Sequence, residues 1–152
     1  MTSPTPSLGA SASIDQAFAG IRATLTSLPG RQARLNWLVA EAARTPRLAD
    51  AERDPTNLVP GCLSPLWLVA RCHADACRFE ADSDSRIVRA FALLVCRLFT
   101  GQSATAILAC PSLDLDSLGL DLATSNRRNA LSRLEAAIRD HARRFAAAPP
   151  PA

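Results

Sequence analysis

Between Ser64 and Asp82 the apolar residues alternate, whereas elsewhere in the chain they recur at helical spacing. Leu66, Leu68, Ala70 and Cys72 share one phase, and Trp67, Val69, Arg71 and His73 the other. After Ala74-Asp75, Cys77, Phe79 and Ala81 alternate with Arg78, Glu80 and Asp82. Alternation on both sides of a short turn sends successive side chains to opposite faces, so the segment reads as a β-hairpin with one wetter face. The flanks read as helices. Ile14, Phe18, Ile21, Leu25 and Leu28 form one stripe, broken by Pro29-Gly30, and Leu35, Leu38, Val39 and Ala42 continue a second helix up to Pro46. Residues 47–58 lack periodicity and read as a loop. Ile87, Val88, Phe91, Leu94, Val95, Leu98 and Phe99 mark a third helix, capped by Asp84 or Ser85 and ended by Gly101. Ser103 caps a short helix to about Cys110, and Thr124 or Ser125 opens the last, with the stripe Leu131, Leu134, Ile138 and Phe145. The predicted class is α+β: a small antiparallel sheet, the hairpin plus a third strand, covered by N- and C-terminal helices.

With 152 residues, 48% of them hydrophobic, the chain can build one core without a disulfide or metal. A single domain is expected over 13–145, between a Ser-, Pro-, Thr- and Ala-rich start (1–12) and an Ala-Pro tail (146–152), both expected to be disordered. Seventeen basic against fourteen acidic residues is too even a balance for recognition of nucleic acid by charge. Every basic residue is arginine, which excludes lysine Schiff-base and P-loop chemistry. The longest apolar run, Ala90–Cys96, is far short of the roughly 18 residues of a membrane span, and the first residues show neither a basic nor an apolar signal region. A cytoplasmic protein without membrane contact is the expectation. Five cysteines, an odd number in such a chain, point to free thiols.

The segment Asn57-Leu-Val-Pro-Gly-Cys-Leu-Ser-Pro-Leu-Trp67 places Cys62 in a loop between Pro60-Gly61 and a strand. Gly61 lets the backbone turn sharply and stand the thiol at a loop tip. Backbone amides or an arginine nearby would favour its thiolate; the plainer reading is a small apolar plug. Leu58, Val59 and Leu63 flank it, and a shallow apolar pocket with Trp67 near its floor is expected to shield it. Cys72, His73 and Cys77 surround the hairpin turn with a spacing compatible with a zinc knuckle. Cys72 and Cys77 fall on the core phase and His73 on the other, so reduced, packed thiols and no metal are expected. Cys96 reads as packing and Cys110 as a semi-buried thiol. Asp82, Ser83 and Asp84 read as a strand end and helix cap, with too few oxygen ligands for calcium. The arginines of the last helix, Arg127, Arg128, Arg133, Arg139, Arg143 and Arg144, read mostly as a solvated face. His73 and His141 have no motif around them, and no hydrolase set is apparent.

Val59-Pro-Gly-Cys-x-Ser-x-x-Trp67 resembles the active-site segment of the SufE family of cysteine desulfuration proteins, which includes the CsdE branch. Phe79-x-Ala-Asp-Ser-Asp-x-x-Ile-Val88 resembles that family's strand-to-helix junction, Leu118-Gly-Leu120 its late loop, and Thr124-x-x-Arg-x-Asn-Ala-Leu131 the start of its final helix. The resemblance runs from about residue 14 to 144. It implies a sulfur carrier rather than an enzyme. Cys62 would accept persulfide sulfur from a PLP-dependent cysteine desulfurase of the SufS or CsdA type, stimulate that enzyme, and pass the sulfur to an iron–sulfur scaffold, with no cofactor of its own. It also implies that Asp84 and Arg127 stand close to the cysteine loop, with Gly61 and Ser64 supporting it. The chain departs from the pattern at Arg89-Ala90, where Lys-Gly is usual, at Ala130 where Gly is usual, and at Pro65, which removes an amide donor at the strand start. These departures bear on the partner surface more than on the transfer step. Two other readings stand beside this one: a zinc-binding interaction domain using Cys72, His73 and Cys77, and a thiol enzyme using Cys62 on a small-molecule substrate.

Overall fold

The sheet lies where the apolar period changes. In a computed structural model, which describes residues 13–73, 76–120, 122 and 125–148, β1 (Leu66–His73) and β2 (Ala76–Ser83) pair antiparallel. The register runs from Leu66 opposite Ser83 to His73 opposite Ala76. The turn at Ala74-Asp75, the segment 1–12, Thr124 and the last residues from 149 lie outside the described residues. Five helices accompany the hairpin among the described residues: α1 (Ile14–Thr26), α2 (Gly30–Ala43), α3 (Arg86–Phe99), α4 (Ala104–Ala109) and α5 (Ser125–Ala147). The last extends to Ala147, into the stretch read as a tail. The architecture is α+β, with helices toward both ends of the chain around a two-stranded sheet.

The core forms where the apolar stripes meet the inner face of the hairpin. Leu66, Leu68, Cys77, Phe79 and Ala81 are buried there, and α3 covers β2 with Phe91, Val95, Leu98 and Phe99 buried. Leu131, Leu134, Ile138 and Ala142 on α5 and Phe18, Ile21 and Leu25 on α1 join the same core. The caps are local. Ser13 Oγ accepts from the Gln16 amide at 3.2 Å while Gln16 Oε1 accepts from the Ser13 amide at 3.1 Å, a reciprocal capping box. Ser85, not Asp84, caps α3, accepting from the Val88 amide at 3.3 Å, and Ser103 caps α4.

Two expectations are corrected. No third strand forms among the described residues. Beside β1 there is a single bridge, Leu58 to Trp67, before Pro60 and a left-handed Gly61 turn the chain away. Proline has no amide to donate, so a ladder cannot continue through it. The far edge of β2 is covered instead by the α3–α4 junction: the Cys77 amide donates to the Gln102 carbonyl at 2.8 Å, and the Gly101 amide to the Cys77 carbonyl at 2.8 Å.

The second correction concerns Cys72 and Cys77, which are joined in a disulfide. Alternation alone places both on the core face. The register, with His73 and Ala76 flanking the turn, also makes them direct partners with Cα atoms 4.0 Å apart. An odd cysteine count leaves room for one such pair. Neither sulfur is then a free thiolate ligand, and His73 is exposed beside them. The bridge closes a very short loop, so chain-entropy reasoning gives it only about 2 kcal/mol. Reduction by a dithiol is expected to lower the melting temperature by ~5 °C without unfolding the protein at room temperature, as read by circular dichroism with and without reductant.

Asp82, next to last in β2, is a fully buried carboxylate. It accepts from Arg47 Nε at 3.1 Å and Nη2 at 2.9 Å, Arg89 Nε at 3.1 Å, and the amides of Leu48 at 3.2 Å and Ser83 at 2.8 Å. Arg89 also donates to the carbonyls of Ala42 and Thr45, each at 2.8 Å, which ties the end of α2 to α3.

Candidate functional site

The loop carrying Cys62 is pinned at both ends. Upstream, Asp54 Oδ1 accepts from the amides of Thr56 at 2.9 Å and Asn57 at 3.3 Å, fixing a single 3-10 turn over Pro55–Asn57. Leu58 then bridges to Trp67, and the Val59 amide donates to the Leu66 carbonyl at 2.7 Å. The stretch between Val59 and Leu66 must therefore leave the sheet and return. Buried Val59 anchors one end and buried Leu66 the other. Gly61 makes the turn at φ +86°.

Cys62 follows as a half-buried thiol packed against the margin of the core. Of its apolar neighbours, Val59 faces inward, while Leu58 and Leu63 are 44% and 80% exposed. Trp67 is half-buried, and Ser64, inside the loop, is half-buried as well.

The first turns of α5 face this loop. Asn129 Nδ2 donates to the Gly61 carbonyl at 2.9 Å. One turn later, Arg133 lies over Gly61 so closely that a Cβ added there would sit 3.1 Å from both its Cζ and its Nε. Burial pushes the Cys62 thiol above the ordinary cysteine value, and the Arg133 charge opposes that rise. Residue 61 is thus glycine for two separate reasons: the left-handed backbone and the guanidinium above it. Gly61→Ala is expected to cost about 1–2 kcal/mol from the backbone alone and to push Arg133 off the loop. A denaturation midpoint equal to wild type would count against this geometry.

The remaining free cysteines differ. Full burial raises Cys96 to about 12, which leaves no useful thiolate at neutral pH. Cys110 is also raised by burial, against an opposing effect of Arg139, and its thiol donates to the Pro111 carbonyl at 3.3 Å. Arg139 is occupied there. It donates to the carbonyls of Ile107 and Cys110, both at 2.7 Å, and of Pro111 at 3.1 Å, so it closes the end of α4 and is not part of a solvated face.

Asp84 is exposed at the β2–α3 junction, where Ser85 does the capping. Arg127, on the first turn of α5, borders a small apolar gap with Leu66, Val88, Phe91 and Leu131. Asp84 borders a different gap, with Val39, Arg86 and Arg89. Asn129, Arg133 and Asp82 carry no sequence motif that marks them as site residues. The spacing of Asn129 and Arg133, four apart on one helix face, was legible, but which face meets the loop was not.

A cleft of about 400 Å³ opens between α2, α3 and β2, lined by Trp37, Leu48, Phe79, Leu93 and others, and it includes no residue of the cysteine loop. Among the described residues no three His, Cys, Asp or Glu side chains gather as a metal site, and no described helix is long and apolar enough to cross a membrane.

Comparison with known proteins adds to this geometry. The sequence pattern of the SufE family, described as an Fe-S metabolism associated domain, matches residues 19–142. An uncharacterized SufE-like protein of Rhizobium etli is 34% identical over 121 residues, covering 76% of this chain and 82% of that protein. A chloroplastic quinolinate synthase of rice is 36% identical over 105 residues, which are 68% of this chain but only 15% of that longer protein. A solution structure of a Thermus thermophilus protein superposes with a TM-score of 0.64 at 23% identity, over 89% of this chain and 96% of its own, a likeness of fold.

Proposed function

The chain belongs to the SufE family, with a role in Fe-S metabolism, and from that premise we propose that it is a sulfur carrier whose Cys62 accepts sulfur from a cysteine desulfurase. The transfer is a thiol–disulfide-type exchange. The Cys62 thiolate attacks the terminal sulfur of the desulfurase persulfide. A sulfur–sulfur bond forms to Cys62, the bond to the desulfurase cysteine breaks, and that cysteine leaves as a thiolate. The proton of the terminal sulfur stays with it, so the product is a Cys62 persulfide and no external oxidant or reductant is needed.

The observation that carries this reading is the setting of Cys62: a half-buried thiol on a loop pinned at Val59 and Leu66, beside Leu58 and Leu63, whose side chains face solvent. A partner can cover those leucines as it reaches the thiol, which excludes water during transfer. Partial burial between encounters keeps a persulfide from small thiols. Asp84, Arg127, Gly61 and Ser64 are proposed as supporting residues, and the partner as a PLP-dependent desulfurase in the cytoplasm. The sulfur then passes to iron–sulfur assembly. The rice relative holds a segment like this chain within a longer protein named quinolinate synthase.

The test is mass spectrometry of the protein after incubation with a purified desulfurase, PLP and cysteine. Gain of the mass of one sulfur atom on the Cys62 peptide is expected. Sulfur found only on other cysteines would overturn the reading.

A further inference from the structure

We propose that Arg133 is the electrostatic partner of Cys62: its guanidinium, laid over Gly61, holds the loop sulfur in its anionic forms, first the thiolate and then the persulfide anion. The inference rests on the sulfur-carrier reading for the second of those forms only.

Three other arginines of α5 are held by carboxylates. Arg128 is paired with Asp116 at 2.9 Å, Arg139 with Glu135 at 2.9 Å, and Arg143 with Asp140 at 2.7 Å. Among the described residues no carboxylate pairs with Arg133. It lies instead against a glycine, in contact range of the backbone just before the cysteine. A long, exposed side chain loses rotamer freedom when it is held in one place. An anion nearby offsets that loss, and the candidate anion beside Arg133 is the sulfur of Cys62. The opposing influence of Arg133 on the thiol points the same way. Asp54, the acidic group preceding the loop, is turned to the amides of Thr56 and Asn57.

The placement suits a carrier. Burial works against the thiolate, and a cation beside the loop restores part of it. After transfer the negative charge sits on the terminal sulfur, one bond farther out. A guanidinium on an exposed, flexible stem can follow it, whereas one locked in a buried pair could not. Asn129, one turn earlier, holds the Gly61 carbonyl and so keeps the peptide beneath Arg133 in place.

The experiment measures the rate of Cys62 alkylation by iodoacetamide against pH, resolved by peptide mass spectrometry. Iodoacetamide is uncharged, so loss of an arginine does not change its attraction to the site. Wild type, Arg133→Met, Arg133→Lys and Arg143→Met are compared. Arg133→Met should raise the midpoint by about half to one pH unit, so that alkylation below the midpoint slows ~3–10-fold. Arg133→Lys should retain most of the wild-type profile, and Arg143→Met all of it. A profile for Arg133→Met that superposes on wild type would overturn the proposal, as would an equal shift in Arg143→Met. With a purified desulfurase and cysteine, persulfide formation in Arg133→Met should slow by a similar factor at neutral pH and recover at alkaline pH, where the thiolate forms unaided. If the alkylation midpoint shifts while wild type accepts no sulfur, the carrier reading fails and the hold of Arg133 on Cys62 stands.

Discussion

A Cys62→Ser variant is expected to accept no sulfur while melting within about 1 °C of wild type. The two halves of that result have separate causes. The side chain is half-buried on a loop whose fixed points are Val59 and Leu66, and replacing sulfur by oxygen removes little packing and leaves both anchors in place. The hydroxyl, however, does not ionise near neutral pH and cannot attack a persulfide as a thiolate does. The remaining free thiols do not substitute. Cys96 is buried and held protonated, and Cys110 sits at the end of α4 with its thiol turned to the Pro111 carbonyl. The reciprocal protein, with Cys96→Ala and Cys110→Ser and the Cys72–Cys77 bridge left in place, is expected to accept sulfur as wild type does. Peptide-resolved mass spectrometry after incubation with a desulfurase, together with thermal unfolding by circular dichroism, checks both proteins. Undiminished sulfur acceptance by Cys62→Ser would remove Cys62 from the mechanism.

What the sequence made legible follows from which interactions are local. The hairpin could be located because alternation within each strand is a property of consecutive residues; the phase holds except at Val69 and Asp82, which are buried on the side expected to be wetter. The cap of α3 could be narrowed to Asp84 or Ser85, but choosing Ser85 needed the geometry of the first turn. The expected third strand does not form among the described residues, although a hairpin alone would be marginal. Covering it with α3, α5 and the α3–α4 junction solves the same problem without another ladder. The bond between Cys72 and Cys77 was hidden for another reason: phase gives the face of a residue, while its partner depends on register. At the site, Gly61-Cys62 stood out because a glycine beside a cysteine in a loop is local. Arg133 did not. Arg128, Arg133, Arg139 and Arg143 look alike on one helix until each is assigned: Arg128 to Asp116, Arg139 to Glu135 and the end of α4, Arg143 to Asp140, and Arg133 to the peptide of Gly61.

Asp82, taken from sequence as part of a strand end and helix cap, should prove among the most costly side chains to remove. Asp82→Ala is expected to destabilise the protein by about 3 kcal/mol, equivalent to ~10 °C in melting temperature, because deleting one member of a buried charged cluster leaves the others uncompensated. The partners differ in how well they can adapt. The Arg47 side chain is 53% exposed and can turn to water, whereas that of Arg89 is 9% exposed and remains fixed by the carbonyls of Ala42 and Thr45. Burial by itself raises the Asp82 pKa. The hydrogen bonds from Arg47, Ser83 and Leu48 outweigh it, so the folded value lies below the ordinary one. A depressed carboxylate stabilises the fold above its unfolded pKa, near ~4, and that contribution is lost as pH falls through the lower, folded value. Wild type should therefore lose stability on acidification below about pH 4 more steeply than Asp82→Asn, which has no carboxylate to protonate. Urea denaturation at pH 7 and again between about pH 2 and 4 measures both effects, and equal midpoints for wild type and Asp82→Ala at pH 7 would rule out the cluster as a support of the fold. The consequence reaches the sulfur site. Asp82 pairs with Trp67 in the register, and Trp67 bridges to Leu58 at the base of the Cys62 loop. Loss of the carboxylate loosens that base one strand away, so an Asp82→Ala protein still folded at low temperature should accept sulfur more slowly while its Cys62 alkylation midpoint stays near that of wild type, since Arg133 is untouched.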